Sequence, residues 1–182
     1  MTIKVTAIIG SNKKESFNLK IVKYMQKRYA DKLSIEIALI NEVEMFNPDI
    51  EDTPPKGAMD FKMKVRNAEG VLFAVPEYNY SIPGALKNAM DWMSRSGHDL
   101  KDKPAFIVGS STGVLGSVRA QMHLRDILAN PTLQVKLLPG NEVYIGAVHT
   151  KINDQNELVD ERTVDFLDKV VNNFVEFYNK VK

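Results

Sequence analysis

Three short stretches of the chain carry side chains able to do chemistry. The first is Gly10-Ser-Asn-Lys-Lys-Glu-Ser-Phe-Asn18, the second Pro76-Glu-Tyr-Asn-Tyr-Ser-Ile-Pro83, the third Gly109-Ser-Ser-Thr-Gly-Val-Leu-Gly116. In the first, Ser11, Ser16 and Asn18 offer hydroxyl and amide groups and Lys13 a positive charge, just before a segment with helical periodicity. Free N–H groups and a partial positive charge at a helix start hold phosphate well. The stretch is neither Gly-x4-Gly-Lys-Ser/Thr nor Gly-x-Gly-x-x-Gly. Its residues alone are equally compatible with Ser16 doing no more than capping a helix.

The second stretch sets two tyrosines, an amide and a carboxylate beside one another, enough to wall a flat ring and bond its edge. The alternative is that Tyr78 and Tyr80 are packing residues; six consecutive polar or aromatic residues favour a site. In the third, small residues allow a ligand to approach the backbone closely. Such a stretch is also common in ordinary connections, and its weight comes from its place beside the other two. Asp91 and Glu77 have the chemistry of acid–base groups without an evident partner. Trp92 falls off the apolar stripe of its helix; a large aromatic on an outer face can mark a subunit interface, and the alternative is a partly exposed core residue. His98 and His123 read as surface residues.

Positioning these stretches requires strands that end where they begin. Apolar, β-branched-rich runs occur at Ile3–Ile9, Ser34–Leu39, Gly70–Val75, Ala105–Gly109 and Glu142–Ile145. Continuous rather than alternating runs fit parallel strands buried on both faces. Between them lie helical stripes. Ile21 and Met25 join Phe17; Leu86, Ala89, Met90 and Met93 join Ile82; Leu124, Ile127 and Leu128 join Ala120. A shorter helix is expected near Ala58–Asn67. Leu167, Val170, Val171, Phe174 and Tyr178 form a long final helix with Asp160 as its N-cap. This β–α alternation predicts a doubly wound, three-layer α/β fold with a five-stranded parallel sheet in the order 2-1-3-4-5, over one domain spanning residues 1–182. Periodicity alone leaves a Rossmann-type order open. In such sheets ligands bind at the carboxyl ends of the strands, where the three stretches fall.

Composition removes several classes. Lys+Arg 24 against Asp+Glu 23 leaves a formal charge of +1, which argues against a nucleic-acid binder and against an acidic carrier that docks by charge. Cys is absent and His98, His123 and His149 are the only histidines, so thiol catalysis and Cys-ligated metal are excluded and a His-based metal site is not expected. No run suits a signal peptide or a membrane span, which gives a cytoplasmic expectation.

At the three stretches the sequence resembles the NADPH-dependent FMN reductase family of flavodoxin-like proteins, which includes quinone, chromate and azo-dye reductases. The pattern Gly-Ser-x-Arg-x-x-Ser-x-Asn is met by Gly10, Ser11, Lys13, Ser16 and Asn18, with Lys13 in place of Arg and Glu15 where many relatives have Gly. The match to Pro-Glu-Tyr-Asn-x-Ser-x-Pro-Gly-Ala-Leu-Lys-Asn-Ala-x-Asp-Trp runs from Pro76 to Trp92 and is the most specific. Ser111, Gly113 and Gly116 resemble Ser-x-Gly-x-x-Gly.

The resemblance implies a flavodoxin-like fold and a bound FMN. Its phosphate would lie at Ser11, Lys13, Ser16, Phe17 and Asn18. Its ring would lie between Pro76, Glu77, Tyr78, Asn79, Tyr80 and Ser81 on one side and Ser111, Thr112 and Gly113 on the other. It implies hydride transfer from the co-substrate NAD(P)H through FMN to a small-molecule acceptor, such as a quinone, azo compound, free flavin or metal oxyanion, with Asn79 and Tyr80 as possible support. It also implies a homodimer or dimer of dimers, built on helices near Pro83–Arg95 and Gly116–Ala129. A non-enzymatic flavodoxin-type electron carrier is the alternative, which the charge of +1 disfavours. A receiver domain would need Asp at the end of the third strand, where Ala74-Val75-Pro76 stands.

Overall fold

The computed structural model describes residues 2–182. Strands β1 (Ile3–Ile9), β2 (Leu33–Leu39), β3 (Gly70–Ala74) and β4 (Pro104–Ser110) form a parallel sheet with two shorter strands, β5 (Lys136–Leu137) and β6 (Val143–Ile145). The order is β2-β1-β3-β4-β5, with β6 also paired to β4. The fifth position of the expected sheet is thus split. Lys136 and Leu137 pair with Pro104 and Ala105 at the start of β4, and Val143–Ile145 pair with Val108–Ser110 at its end. The sequence reading found β6 and missed β5. Two half-buried residues, followed by Pro139 and a left-handed Gly140, make too short a run to register as a strand.

Helices α1 (Phe17–Arg28) and α5 (Glu161–Val181) cover one face; α2 (Lys56–Arg66), α3 (Gly84–Met93) and α4 (Val118–Leu128) cover the other. Each face has its own apolar core. Ile21, Val22 and Met25 of α1 meet Leu167, Val170 and Phe174 of α5 over Val5, Leu72 and Phe106. Phe61, Leu86, Met90 and Leu124 pack over Ile8, Phe73 and Ile107 on the other side. Every residue of β3 and β4 is buried, as two-sided burial demands.

Away from the carboxyl edge, two groups of charged side chains tie elements together. Arg28 Nε and Nη2 donate to the two carboxylate oxygens of Asp168 at 2.7 Å each, and Tyr29 Oη donates to the same carboxylate at 2.8 Å. These bonds hold the Asp168 carboxyl below its ordinary range and tie the end of α1 to α5. Asp99 receives Lys62 Nζ at 3.2 Å and Arg66 Nε at 2.7 Å, and Lys62 also donates to the carbonyls of Trp92 and Arg95.

Candidate functional site

The chain leaves β1 for β2 on one side and reaches β3 on the other, so the connections after β1 and β3 part at the carboxyl edge and leave a crevice. The first connection enters α1. Ser16 occupies the N-cap position with extended backbone (φ −70°, ψ 129°), but its side chain makes no capping bond. It is nevertheless buried, at 5% exposure. The N–H groups of the first turn have no partner inside the helix, so the helix start keeps its donors. Ser11 is buried too, and its Oγ accepts from Lys13 N at 3.2 Å. Lys13 and Glu15 are exposed, with Glu15 drawn outward to Lys20 at 3.4 Å. Asn18 does something different. Its amide donates to the Ser110 carbonyl at 3.2 Å and its oxygen accepts from Ser110 N at 3.0 Å, which clamps α1 to the end of β4. Phe17 is partly buried against the α1–α5 core.

The second connection contains a tight turn. Tyr78 and Ser81 exchange both backbone hydrogen bonds at 3.0 Å, and the two residues between them, Asn79 and Tyr80, are left-handed, at φ 50° and 65°. Asn tolerates this region; Tyr does so at a cost. The turn thrusts Tyr78, Asn79 and Tyr80 outward, while Pro76 is buried and Glu77 and Ser81 are half-buried. Tyr78 Oη lies 3.2 Å from Ser11 Oγ, so the first and second stretches meet.

The third connection lies against β6. Ser111 N donates to the Ile145 carbonyl and Val148 N to the Ser111 carbonyl, both at 3.0 Å. Thr112 and Gly113 are exposed, and Ser111 Oγ accepts from Gly113 N at 3.0 Å. Two glycines are obligatory. A Cβ on Gly109 would sit 1.9 Å from Ser117 Oγ and 2.8 Å from the Val75 carbonyl oxygen. One on Gly116, at φ 58°, would sit 2.5 Å from the Tyr144 carbonyl carbon. These contacts bring the start of α4 beside the second stretch. All three stretches therefore converge on the carboxyl edge, as the sequence reading expected.

Two expectations need correction. Trp92 is not on an outer face; it is fully buried. The segment after β2 covers it. Trp92 Nε1 donates to the Glu44 carbonyl at 2.7 Å, and Phe46 packs edge-on with ring centroids 5.0 Å apart. Periodicity within one helix cannot show a loop folded over that helix from elsewhere in the chain. Glu77 and Asp91 do have partners. Asp91 pairs with Lys87 at 2.6 Å, while Glu77 accepts the backbone N–H groups of Arg119 and Ala120 at 2.9 and 3.3 Å. Sequence reasoning also missed Asn88, Asn41 and Arg119. Asn88 bonds Phe46 N and the Glu44 carbonyl at 2.7 and 2.9 Å, and Asn41 Nδ2 donates to the Asn12 carbonyl at 3.1 Å, so the segment after β2 props the first connection. Arg119 lies with Cζ 4.1 Å from the centre of the Tyr80 ring. Its place just after the third stretch was the one available signal.

The model of the family described as NADPH-dependent FMN reductase matches residues 3–150. The chain belongs to that family. It is 38% identical over 99% of its length, and all of the relative's, to "NADH-dependent flavin reductase subunit 2" of Lactobacillus johnsonii. It is 34% identical over 99% of its length and 97% of the relative's to "Quinone reductase" of Escherichia coli. Among solved structures it superposes on "FerB - flavoenzyme NAD(P)H:(acceptor) oxidoreductase" of Paracoccus denitrificans with a TM-score of 0.87, at 31% identity and 99% coverage of both chains. The reductase family uses FMN with NAD(P)H, and the chain is an oxidoreductase of that kind acting on a small-molecule acceptor. The residues present suit FMN: an α1 start without a side-chain cap fits a phosphate, and an outward-facing aromatic turn fits a ring. Among the described residues no group of three or more His, Cys, Asp and Glu could hold a metal ion, and no helix is long and apolar enough to cross a membrane.

Proposed function

We propose that the three connections hold FMN in the crevice at the carboxyl edge. The α1 start with Ser11, Ser16 and Phe17 N–H takes the phosphate, with Lys13 adding a charge at its rim. Pro76–Ser81 take one side of the ring and Ser111–Gly113 the other. The observation that carries this reading is the buried Ser16 at a helix start that it does not cap. Asn18 serves by holding α1 to β4, which sets the height of that helix start over the sheet.

Bound FMN supplies the two-electron chemistry, accepting hydride from NAD(P)H and giving it to the acceptor. The protein's part is to fix the ring and to shape the face on which both substrates act. Backbone N–H groups at the crevice, with Asn79 or Tyr80, would stabilise charge developing on the ring edge. NAD(P)H and acceptor use this one open face in turn. Quinones, azo compounds, free flavin and metal oxyanions all meet the requirement of a flat or compact acceptor at an open face. A dimer built on α3 and α4 completes the assembly; exposed Met122 on α4, with Val114 and Leu115 just before it, supports the α4 part. Cytoplasmic residence completes the reading.

A second reading has one observation in its favour: the Lactobacillus johnsonii relative is named as a subunit. In that reading a companion polypeptide receives the electrons. Initial rates decide between them. Purified protein loaded with FMN and offered NADH or NADPH with a quinone, an azo dye or free FMN should turn over with parallel double-reciprocal lines. FMN-loaded protein that consumes neither nucleotide with any of these acceptors supports the carrier reading instead.

A further inference from the structure

Glu77 lies in the stretch proposed to take one side of the ring, and its side chain, together with Arg119, also ties that turn to α4. Helix α4 begins badly. Ser117, its N-cap residue, is left-handed at φ 67° and its side chain makes no capping bond. The carboxylate of Glu77, arriving from the second connection, replaces that cap by accepting Arg119 N and Ala120 N. Its other oxygen lies 3.4 Å from Arg119 Nη1, and only 16% of the Glu77 side chain is exposed. Arg119 then turns back over the Tyr80 ring. A second tie runs parallel to the first: Ser81 Oγ lies 3.0 Å from His123 Nδ1, one turn further along α4.

The turn needs such support. A two-residue hairpin turn with both central residues left-handed favours Asn-Gly, and here the second position is Tyr80. Nothing within Tyr78–Ser81 offsets that strain except two backbone bonds. The helix start of α4 attracts a carboxylate on general grounds, and an arginine plane stacks well on an aromatic face.

We propose that Glu77 and Arg119 form a clamp that holds the Asn79–Tyr80 turn in its left-handed conformation, so that Glu77 is a positioning residue and not a proton donor or acceptor in turnover. The consequence for FMN rests on the placement of the ring at this turn; the clamp itself does not. Two measurements separate them. Hydrogen exchange at the Tyr78 and Ser81 amides of flavin-free protein reads the clamp, and FMN titration of wild type reads the placement. Glu77→Ala should speed exchange at both amides about tenfold and weaken FMN about tenfold, as loss of a helix cap does. Glu77→Gln, whose amide oxygen still accepts both N–H groups, should keep exchange at the two amides within about threefold of wild type, and its pH–rate profile should keep both limbs. Arg119→Ala leaves the cap in place and should speed exchange at the two amides about threefold; it carries the test if Glu77→Ala does not fold. Unchanged exchange in Glu77→Ala or in Arg119→Ala overturns the clamp. A kcat loss of about a hundredfold in Glu77→Gln, with one limb of the pH profile gone, overturns the positioning role, because that is the size and signature of lost acid–base catalysis.

Discussion

Helices α1 and α5 share one face of the sheet and begin with opposite chemistry. Asp160 caps α5: its Oδ1 accepts from Thr163 N at 3.0 Å, it also bonds the Thr163 hydroxyl, and Lys151 stands 3.5 Å away. Ser16 has the right residue type and the right backbone at the start of α1, yet caps nothing. The start of α1 follows β1 at the carboxyl edge of the sheet, whereas the start of α5 is closed by its own cap. Capping residues ordinarily add about 1 kcal/mol to stability. Their absence at α1 therefore forgoes stability where a ligand can supply it instead. The contrast extends along α1 itself, whose far end is bound into α5 through Arg28, Tyr29 and Asp168 while its start keeps its donors free.

The contrast can be removed by making α1 resemble α5. Ser16→Asp should cap α1 with its own carboxylate, raise the thermal midpoint of the flavin-free protein, and repel a phosphate. FMN affinity should fall about a hundredfold or more, since like charges in contact cost several kcal/mol; fluorescence titration with FMN measures it. A gentler change sharpens the comparison. Ser16→Ala should weaken FMN about tenfold, the loss of one hydrogen bond to a charged group, while the stability of the flavin-free protein stays within about 0.5 kcal/mol because no cap is lost. The mirror substitution, Asp160→Ala, should cost about 1 kcal/mol in urea unfolding and leave FMN affinity unchanged. The smallest effect is in acid. The bonds from Thr163 hold the Asp160 carboxyl below its ordinary value. A depressed carboxylate contributes stability above its unfolded pKa, about 3.9, and loses it as pH falls through its lower folded value. Asp160→Ala should thus destabilise less below about pH 3 than at pH 7; a constant difference across that range would show that charge has no part in the cap.

Much of this was legible in the sequence, and the reasons are specific. Buried parallel strands leave continuous apolar runs, so β1, β3 and β4 could be placed from them and the edge strand β2 from its β-branched run, and the three site stretches follow from where β1, β3 and β4 end. The Pro76–Trp92 motif pointed to the exposed turn at Tyr78–Ser81, where the proposal places the ring. What stayed hidden depends on contacts between distant segments. Ser16 reads as a cap in any local pattern, and only the fold shows its hydroxyl withheld. Asn18 reads as a phosphate donor, and only the fold shows that its amide also braces α1 on Ser110. Glu77 reads as an acid or base and proves to cap a helix that starts far along the chain. Trp92 reads as exposed because the segment that buries it, around Glu44 and Phe46, has no periodicity to announce where it lies. β5 escaped because two residues cannot establish a pattern.

The central claim is that the free helix start of α1 binds the phosphate of FMN. Its most direct test compares FMN with riboflavin, which lacks that phosphate, by fluorescence titration of the flavin-free protein. The account predicts FMN binding at least about a hundredfold tighter, the scale of a few charge-assisted hydrogen bonds, with the gap narrowed in Ser16→Ala. Equal affinity for the two flavins would contradict it.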